Sequence, residues 1–533
     1  MTQAFTHTTT AQVREALLAR NEIALLDVRE EDLFAQGHPL FAANLPLGRL
    51  ELDAYLRIPR LNTNIVVYDN GEDLAAIAVQ RLQALGYTQV SLLEIGLQGW
   101  RYAGGEIFID VNGPSKSFGE LVESKRHTPS LAAEEVKALL DQNADVVVLD
   151  ARRFDEYQTM NIPGSTSVPG AELVLRAQTL APNPATRIVV NCAGRTRSII
   201  GTQSLVNAGL PNPISALRNG TIGWTLAGQV LEHGSSRRAP ETVAPEQLLA
   251  AGLQARSVAD KAGVRRATAQ QIPGWRSDGQ RTTYFLDVRT PEEFAAGHID
   301  GFRSAPGGQL VQETDFSAPV RGARIVLADD DGVRANMTAS WLAQMGWETH
   351  VLDGLSAADF STTGPAPQNL PQPTAAIHWI KPQELAQAIA QSPIDSIAVI
   401  DLTTSANHVR RHIPGAWFAL RTDLTQALAH IPRASRYVLT CGSSLLAKYA
   451  VQEFAEATGA TVEVLEGGNQ AWVEAGLPVE SGEQRLASPR VDRYRRPYEG
   501  TDNAQQAMQA YLDWEFGLVE QLGRDGTHGF RVI

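Results

Sequence analysis

The chain has 533 residues and a net charge of −13, with a pI near 5.4. That length exceeds what one core can organise and predicts roughly three to five domains. Its acidity argues against a nucleic-acid or anionic-membrane partner, because the overall field attracts neither, and any site for an anion must therefore be local.

Hydrophobic residues make up 43% and charged residues 20%, the balance of an ordinary soluble protein. The opening stretch, Met1 to Arg20, is polar and threonine-rich, without the apolar segment of a secretory signal. No apolar run is long enough to span a bilayer. Two cysteines do not make a disulfide framework; a reducing, cytoplasmic setting fits them better and leaves both thiols free for chemistry.

In chain order the sequence repeats itself four times. Strand-like runs end in an acidic residue at Asp27, Asp150, Asp287 and Asp401, and an arginine sits two places later in the first three, as Arg29, Arg152 and Arg289, with Thr403 in the fourth. A second run in each repeat ends at Asp69, Cys192, Asp329 and Cys441. The separations 69−27, 192−150 and 329−287 are each 42, and 441−401 is 40. Trp100, Trp224, Phe360 and Trp472 then follow at 31, 32, 31 and 31 residues. After the second run, an apolar-periodic helix is predicted to stop at Gly86, Gly209, Gly346 and Gly459, followed by short strands such as Ile214 to Leu217.

Strands alternating with helices predict an α/β fold with mainly parallel sheets covered on both faces. Linkers are expected at Val111–Ser115, at Gly234–Arg238 and in the proline-rich stretch from Thr362 to Pro373. These divide the chain into units at 1–112, 113–236, 237–368 and 369–485, with a tail from 486 to 533. The tail has a basic-aromatic run, Arg490 to Tyr498, and a predicted helix from Asn503 to Leu522 whose apolar stripe is expected to pack on a repeat or a subunit contact.

The chemistry concentrates at Ile188 to Ser198, where a β-branched run ends in Cys192 and Ala193-Gly194-Arg195-Thr196-Arg197-Ser198 lead into a helix. If this loop wraps the sulfur, its N–H groups and the helix N-terminus converge on Cys192 with two guanidinium groups nearby, favouring a thiolate and an anion beside it. The simpler alternative is a small buried cysteine closing a core strand. In the same sense, Arg152 reads first as a partner of a local carboxylate, and Trp224 as core packing at least as readily as a pocket wall. Scattered histidines at 38, 298, 408 and 412 have no ligand spacing for a metal.

Strand-Asp-x-Arg, then strand-Cys-loop-helix, then a closing Gly-x-x-x-Trp segment together resemble the rhodanese (sulfurtransferase) family. The resemblance covers about residues 10 to 485 as four tandem rhodanese-like domains. It is best in the second unit, through Leu149 to Arg152, Asn161 to Ser165, Cys192 to Ser198 and Asn219 to Trp224; the fourth also follows the pattern at Arg411 to Ala416 and Gly467 to Trp472. The first and third hold Asp69 and Asp329 at the position of the family's sulfur and are expected to be structural or regulatory.

The resemblance implies that Cys192 accepts a sulfane sulfur as a persulfide and passes it to a thiol, cyanide or protein acceptor, without metal or organic cofactor. Thiosulfate is the expected donor, held by Arg195 and Arg197, while the N–H groups from Ala193 through Gly194 and Thr196 to Ser198 steady the charge. Protein tyrosine phosphatases place an arginine six residues after the cysteine; here Arg197 lies five after, which favours sulfur chemistry over phosphate or arsenate. Cys441 occupies the matching place in the fourth unit. Its Cys-Gly-Ser opening looks like that of 3-mercaptopyruvate sulfurtransferases, but its loop contains no arginine, leaving functional and vestigial readings evenly matched. A persulfide carrier or scaffold for a protein partner is the non-enzymatic alternative.

Overall fold

Each repeat folds as a five-stranded parallel sheet, and with the strands of a repeat numbered in chain order, all four sheets run 1-5-4-2-3. The computed structural model describes residues 5–393 and 396–533; the first four residues of the polar N-terminal stretch lie outside it. In the second repeat the central strands, Val146–Asp150 and Arg187–Asn191, pair in register from Val146 with Arg187 to Asp150 with Asn191. Ile188, Val189 and Val190 are all buried, as a near-continuous apolar run in a strand covered on both faces requires. The helix that follows, Thr196–Ala208, stops at left-handed Gly209, and its counterpart Ala447–Thr458 stops at Gly459.

The repeated motifs are structural devices. Arg152 donates Nε to Asp150 Oδ1 at 2.9 Å and Nη2 to Oδ2 at 2.7 Å, and reaches the carbonyl of Met160. Arg29 and Arg289 hold Asp27 and Asp287 in the same way and reach the carbonyls of Gly37 and Gly297. In the fourth repeat, where Thr403 replaces the arginine, His408 Nδ1 lies 2.9 Å from Asp401 Oδ2 and Asn469 donates to Oδ1. The tryptophans belong to the core: the indoles of Trp100, Trp224 and Trp472 are buried, and each donates its N–H to the carbonyl six residues on, at Glu106, Val230 and Pro478.

The repeats interlock. One hydrophobic cluster runs through the first and third repeats, including Leu26, Tyr87, Tyr284 and Ile325, and Ile23 and Arg321 exchange backbone hydrogen bonds at 3.1 and 2.9 Å. Trp341 donates to Ser204 Oγ at 2.9 Å, joining the third repeat to the second. Arg421 joins the fourth to the first through a two-pronged pair with Glu51 at 2.7 and 2.9 Å.

The expected linker at Val111–Ser115 runs into a helix, Gly113–Arg126, whose first eight residues are buried. The glycine and proline there open a helix instead of breaking a chain. At the second expected linker, Arg238 bridges Ser167 and Ser235 is buried against the Tyr157 hydroxyl at 2.8 Å. The tail helix is interrupted at Gly517 into Gln505–Phe516 and Leu518–Asp525, consistent with the poor helix propensity of glycine.

Candidate active site

The loop after the fourth strand is a cradle of backbone N–H groups, as the repeats without cysteine show most directly. In the first repeat Asp69 Oδ2 accepts the N–H groups of Leu74 at 2.7 Å and Ala75 at 2.9 Å, while Oδ1 accepts that of Gly71. In the third, Asp329 Oδ2 accepts Ala335 N–H at 2.8 Å and Oδ1 accepts Gly332 N–H. Positions five and six after the aspartate correspond to Arg197 and Ser198 after Cys192.

The cradle is closed from the other side by a glycine that opens the next helix. Gly220 has φ +56°, and a Cβ there would lie 2.3 Å from the carbonyl oxygen of Cys192; Gly468, at φ +63°, stands equally close to the carbonyl of Cys441. Only glycine permits that approach. Thr221 and Ile222 N–H groups then bond the carbonyls of Cys192 and Ala193, and Asn469 and Gln470 bond those of Cys441 and Gly442. The last segment of the family pattern thus fixes the shape of the cysteine loop.

Cys192 is only 2% exposed. Burial pushes its thiol up; the charge of Arg197 and the hydroxyl and N–H of Ser198 oppose the rise, and the Glu515 carboxyl adds to it. The net shift is upward, contrary to the expected thiolate. Two features absent from the local sequence account for this. Both arginines are engaged with carboxylates: Arg195 holds Glu120 at 2.7 and 2.8 Å, also pairs with Glu123 and donates to Asn219, and Arg197 holds Glu156 at 2.7 and 2.8 Å. The expected pair of free guanidinium groups is therefore a pair of ion pairs.

The second feature is the tail. Ala193 and Ile222 pack with Tyr498, Met508, Tyr511 and Leu512, so the helix Gln505–Phe516 lies on the Cys192 loop. A Cβ on Gly194 would meet Tyr511 Cε1 at 3.2 Å and Glu515 Oε2 at 3.4 Å. The Phe516 ring stacks on Arg195, 4.3 Å from its guanidinium carbon. Glu515 accepts the Tyr511 hydroxyl on Oε1 at 2.9 Å, and its buried Oε2 has no hydrogen-bond partner among the described residues. Thr196 is buried, with its hydroxyl unpartnered among the same residues, and Ser198 donates Oγ to the Arg195 carbonyl at 2.8 Å. Arg197 also faces a cavity of about 410 Å³ that it shares with Arg152, Glu156 and the tail residues Arg493, Arg496 and Tyr498.

Cys441 is 5% exposed but borders a far larger space. With Gly442 and Ser443 it forms part of the wall of a cavity of about 920 Å³, completed by the first and third repeats and the tail. Nothing in the spacing of one repeat shows which surfaces of the others face it, and Glu156, Glu120, Tyr511 and Glu515 were equally out of reach of motif reading. The apolar stripe of the predicted tail helix, which includes Tyr511, was the signal that this segment packs on something.

A cysteine or aspartate at the carboxyl edge of a parallel sheet, followed by the same loop, recurs in all four units; a glycine clasps it in the first, second and fourth. The Rhodanese-like domain family matches residues 9–103, 132–227, 268–355 and 381–475, and the chain belongs to that family. A crystal structure of thiosulfate sulfurtransferase from Pseudomonas aeruginosa is 65% identical, with a TM-score of 0.97, over 99% of this chain and 100% of that one. A curated Bacillus subtilis (strain 168) protein, named "Putative sulfur carrier protein YrkF", is 27% identical over 103 residues, 19% of this chain. That match spans about half of the curated relative, 54% of its length.

Proposed function

We propose that the protein is a sulfurtransferase that moves the outer sulfur of thiosulfate to a thiol, cyanide or protein acceptor through a cysteine persulfide. The observation that carries this reading is the cradle itself. The loop that gathers N–H groups around Asp69 and Asp329 holds a cysteine in the second and fourth repeats, where the same donors would stabilise a thiolate or persulfide. Cys192 attacks the outer sulfur, the S–S bond of the donor breaks, and sulfite leaves with the electron pair. An acceptor thiolate or cyanide then takes the outer sulfur and restores the Cys192 thiolate.

The rhodanese fold and the similarity to a thiosulfate sulfurtransferase support this reading. Arg197 acts with Glu156 attached, as half of an ion pair whose free N–H edge serves the donor, and Arg195 acts through the loop by fixing it to Glu120. The two unpaired cysteines suit a reducing cytoplasmic compartment.

The test is to incubate the full chain with thiosulfate and locate the added sulfur by mass spectrometry in the natural protein, Cys192→Ser and Cys441→Ser. Sulfur on Cys192, lost in Cys192→Ser, is expected. Sulfur only on Cys441 would move the reaction to the fourth repeat, and sulfur on neither would overturn the reading.

A further inference from the structure

The tail helix Gln505–Phe516 carries two acids; Asp513 is exposed, and Glu515 is wholly buried against the Cys192 loop. Packing does not call for an acid there. The neighbours on that face are Met508, Tyr511 and Leu512, and an apolar side chain would cover the loop without the cost of burying a carboxyl. One oxygen of Glu515 is occupied, Oε1 accepting the Tyr511 hydroxyl at 2.9 Å. The other, Oε2, has no hydrogen-bond partner among the described residues and stands 3.4 Å from where a Cβ on Gly194 would lie.

The charges around Glu515 are already committed. From the helix Gly113–Arg126, Lys116 Nζ donates to Asp110 Oδ1 at 2.5 Å and lies over the rings of Tyr511 and Trp514 at 5.0 and 5.4 Å. Glu120 and Glu123 of the same helix both hold Arg195 of the loop. Two cations thus face three carboxylates before Glu515 is counted. Tyr498 packs edge-on against Tyr511, and the helix Gly220–Leu226, which also meets the tail helix, has no ionisable side chain. Ionising Glu515 therefore adds uncompensated negative charge beside Cys192. Burial and then Glu120 raise its carboxyl to about 8, against Lys116, Tyr511 and Arg195, and its charge in turn raises the Cys192 thiol.

We propose that Glu515 is a specificity-determining residue for the chemistry of Cys192, admitting an anionic donor to the loop as the neutral acid and repelling it as the carboxylate. This rests on the sulfurtransferase reading and extends it by assigning the far end of the chain to the site of the second repeat. Thiosulfate is a dianion and Cys192 attacks it as a thiolate, so the two reactants repel each other before any neighbour acts. With Oε1 taken by Tyr511, the proton of the neutral acid sits on Oε2, on the side of Gly194, and the tail covers the loop without adding charge to it. Loss of that proton sets a carboxylate against both reactants at once.

The test is the charge selectivity of alkylation at Cys192, read on its peptide by mass spectrometry in the full chain. Iodoacetate is an anion and iodoacetamide its uncharged counterpart of nearly the same size, so the ratio of their rates cancels the thiolate fraction and the exposure of the sulfur. Between pH 6.5 and 9 that ratio should fall about threefold or more in the natural protein and stay level in Glu515→Gln. A level ratio in the natural protein would overturn the proposal. So would an equal fall in Glu515→Gln, which would assign the charge to Lys116 or Glu120. The rate of sulfur loading on Cys192 from thiosulfate, taken relative to Glu515→Gln, should drop by a similar factor over the same range. A ratio that responds to Glu515 in a protein that takes no sulfur from thiosulfate would support the role of Glu515 and count against the sulfurtransferase reading instead.

Discussion

Arg197 and Glu156 meet fork to fork, Nη1 to Oε1 at 2.7 Å and Nη2 to Oε2 at 2.8 Å, and this pair regulates the charge felt by Cys192. Arg197 lowers the thiol's proton affinity, whereas burial raises it more; the carboxyl of Glu156 is itself held down at about 2 by burial-opposing contact with Arg197. Replacing Arg197 by alanine removes the guanidinium that acts on the sulfur in this way, so alkylation of Cys192 by iodoacetamide near pH 7.5 should slow by about tenfold, the equivalent of one pKa unit. Glu156→Gln, which leaves the guanidinium uncompensated, should speed it. A rate unaffected by both changes would show that Arg197 does not reach the thiol electrostatically.

Glu515 predicts a pH dependence of tail docking. Burial first, and then the Glu120 charge, raise its carboxyl from 4.5 to about 8, against Lys116, Tyr511 and Arg195, which lower it. The folded group keeps its proton to a higher pH than the unfolded one, so its contribution is full below pH 4.5 and is lost as pH rises through about 8. Between pH 6 and 9 the natural protein should lose more thermal stability than Glu515→Gln, and protection of the amides in residues 505–516, relative to their intrinsic exchange rates, should fall in the natural protein alone. Parallel melting curves for the two would remove Glu515 from the account.

Asp69 provides a test of the cradle away from either cysteine. Its carboxylate takes three loop N–H groups, and Asp69→Ala strands them at a half-buried site, which should cost about 1–3 kcal/mol. Asp69→Cys should instead yield a thiol that alkylates faster at pH 7 than a free cysteine. A thiol of ordinary reactivity there would mean that the loop relaxes away from the side chain.

Gly220→Ala tests the clasp. A methyl at that position would sit 2.3 Å from the Cys192 carbonyl oxygen and 2.7 Å from that of Gly194, in a left-handed conformation that by itself costs a non-glycine residue about 1–3 kcal/mol. Sulfur loading at Cys192 should fall sharply while loading at Cys441, clasped separately by Gly468, persists. Equal loss at both would point to global unfolding.

The repeat architecture was legible because period and motif carry it: the run of Ile188 to Val190, the stops at Gly209 and Gly459 and the spacing from Asp150 to Cys192 all arise within one unit. The linker expected at Val111–Ser115 failed because glycine and proline also begin helices, and only the buried surroundings of Gly113–Arg126 distinguish the two. Arg195 and Arg197 were legible as residues but not as free charges. Their carboxylate partners, Glu120 and Glu156, lie 75 and 41 positions away, and no local pattern announces which acid a fold will bring to a given cation. The apolar stripe of the tail predicted a packed helix, and the surface it packs on, the Cys192 loop, follows only from the folded chain.

An aspartate carries its negative oxygens one bond beyond Cγ, just as a persulfide carries its outer sulfur one bond beyond Sγ. Asp69 and Asp329, with their oxygens already met by backbone donors, therefore match a sulfur-loaded loop in shape and need nothing delivered to them. Two of the four loops are thus permanently filled, so the interlocked sheets retain rigid neighbours whichever way Cys192 and Cys441 happen to be occupied.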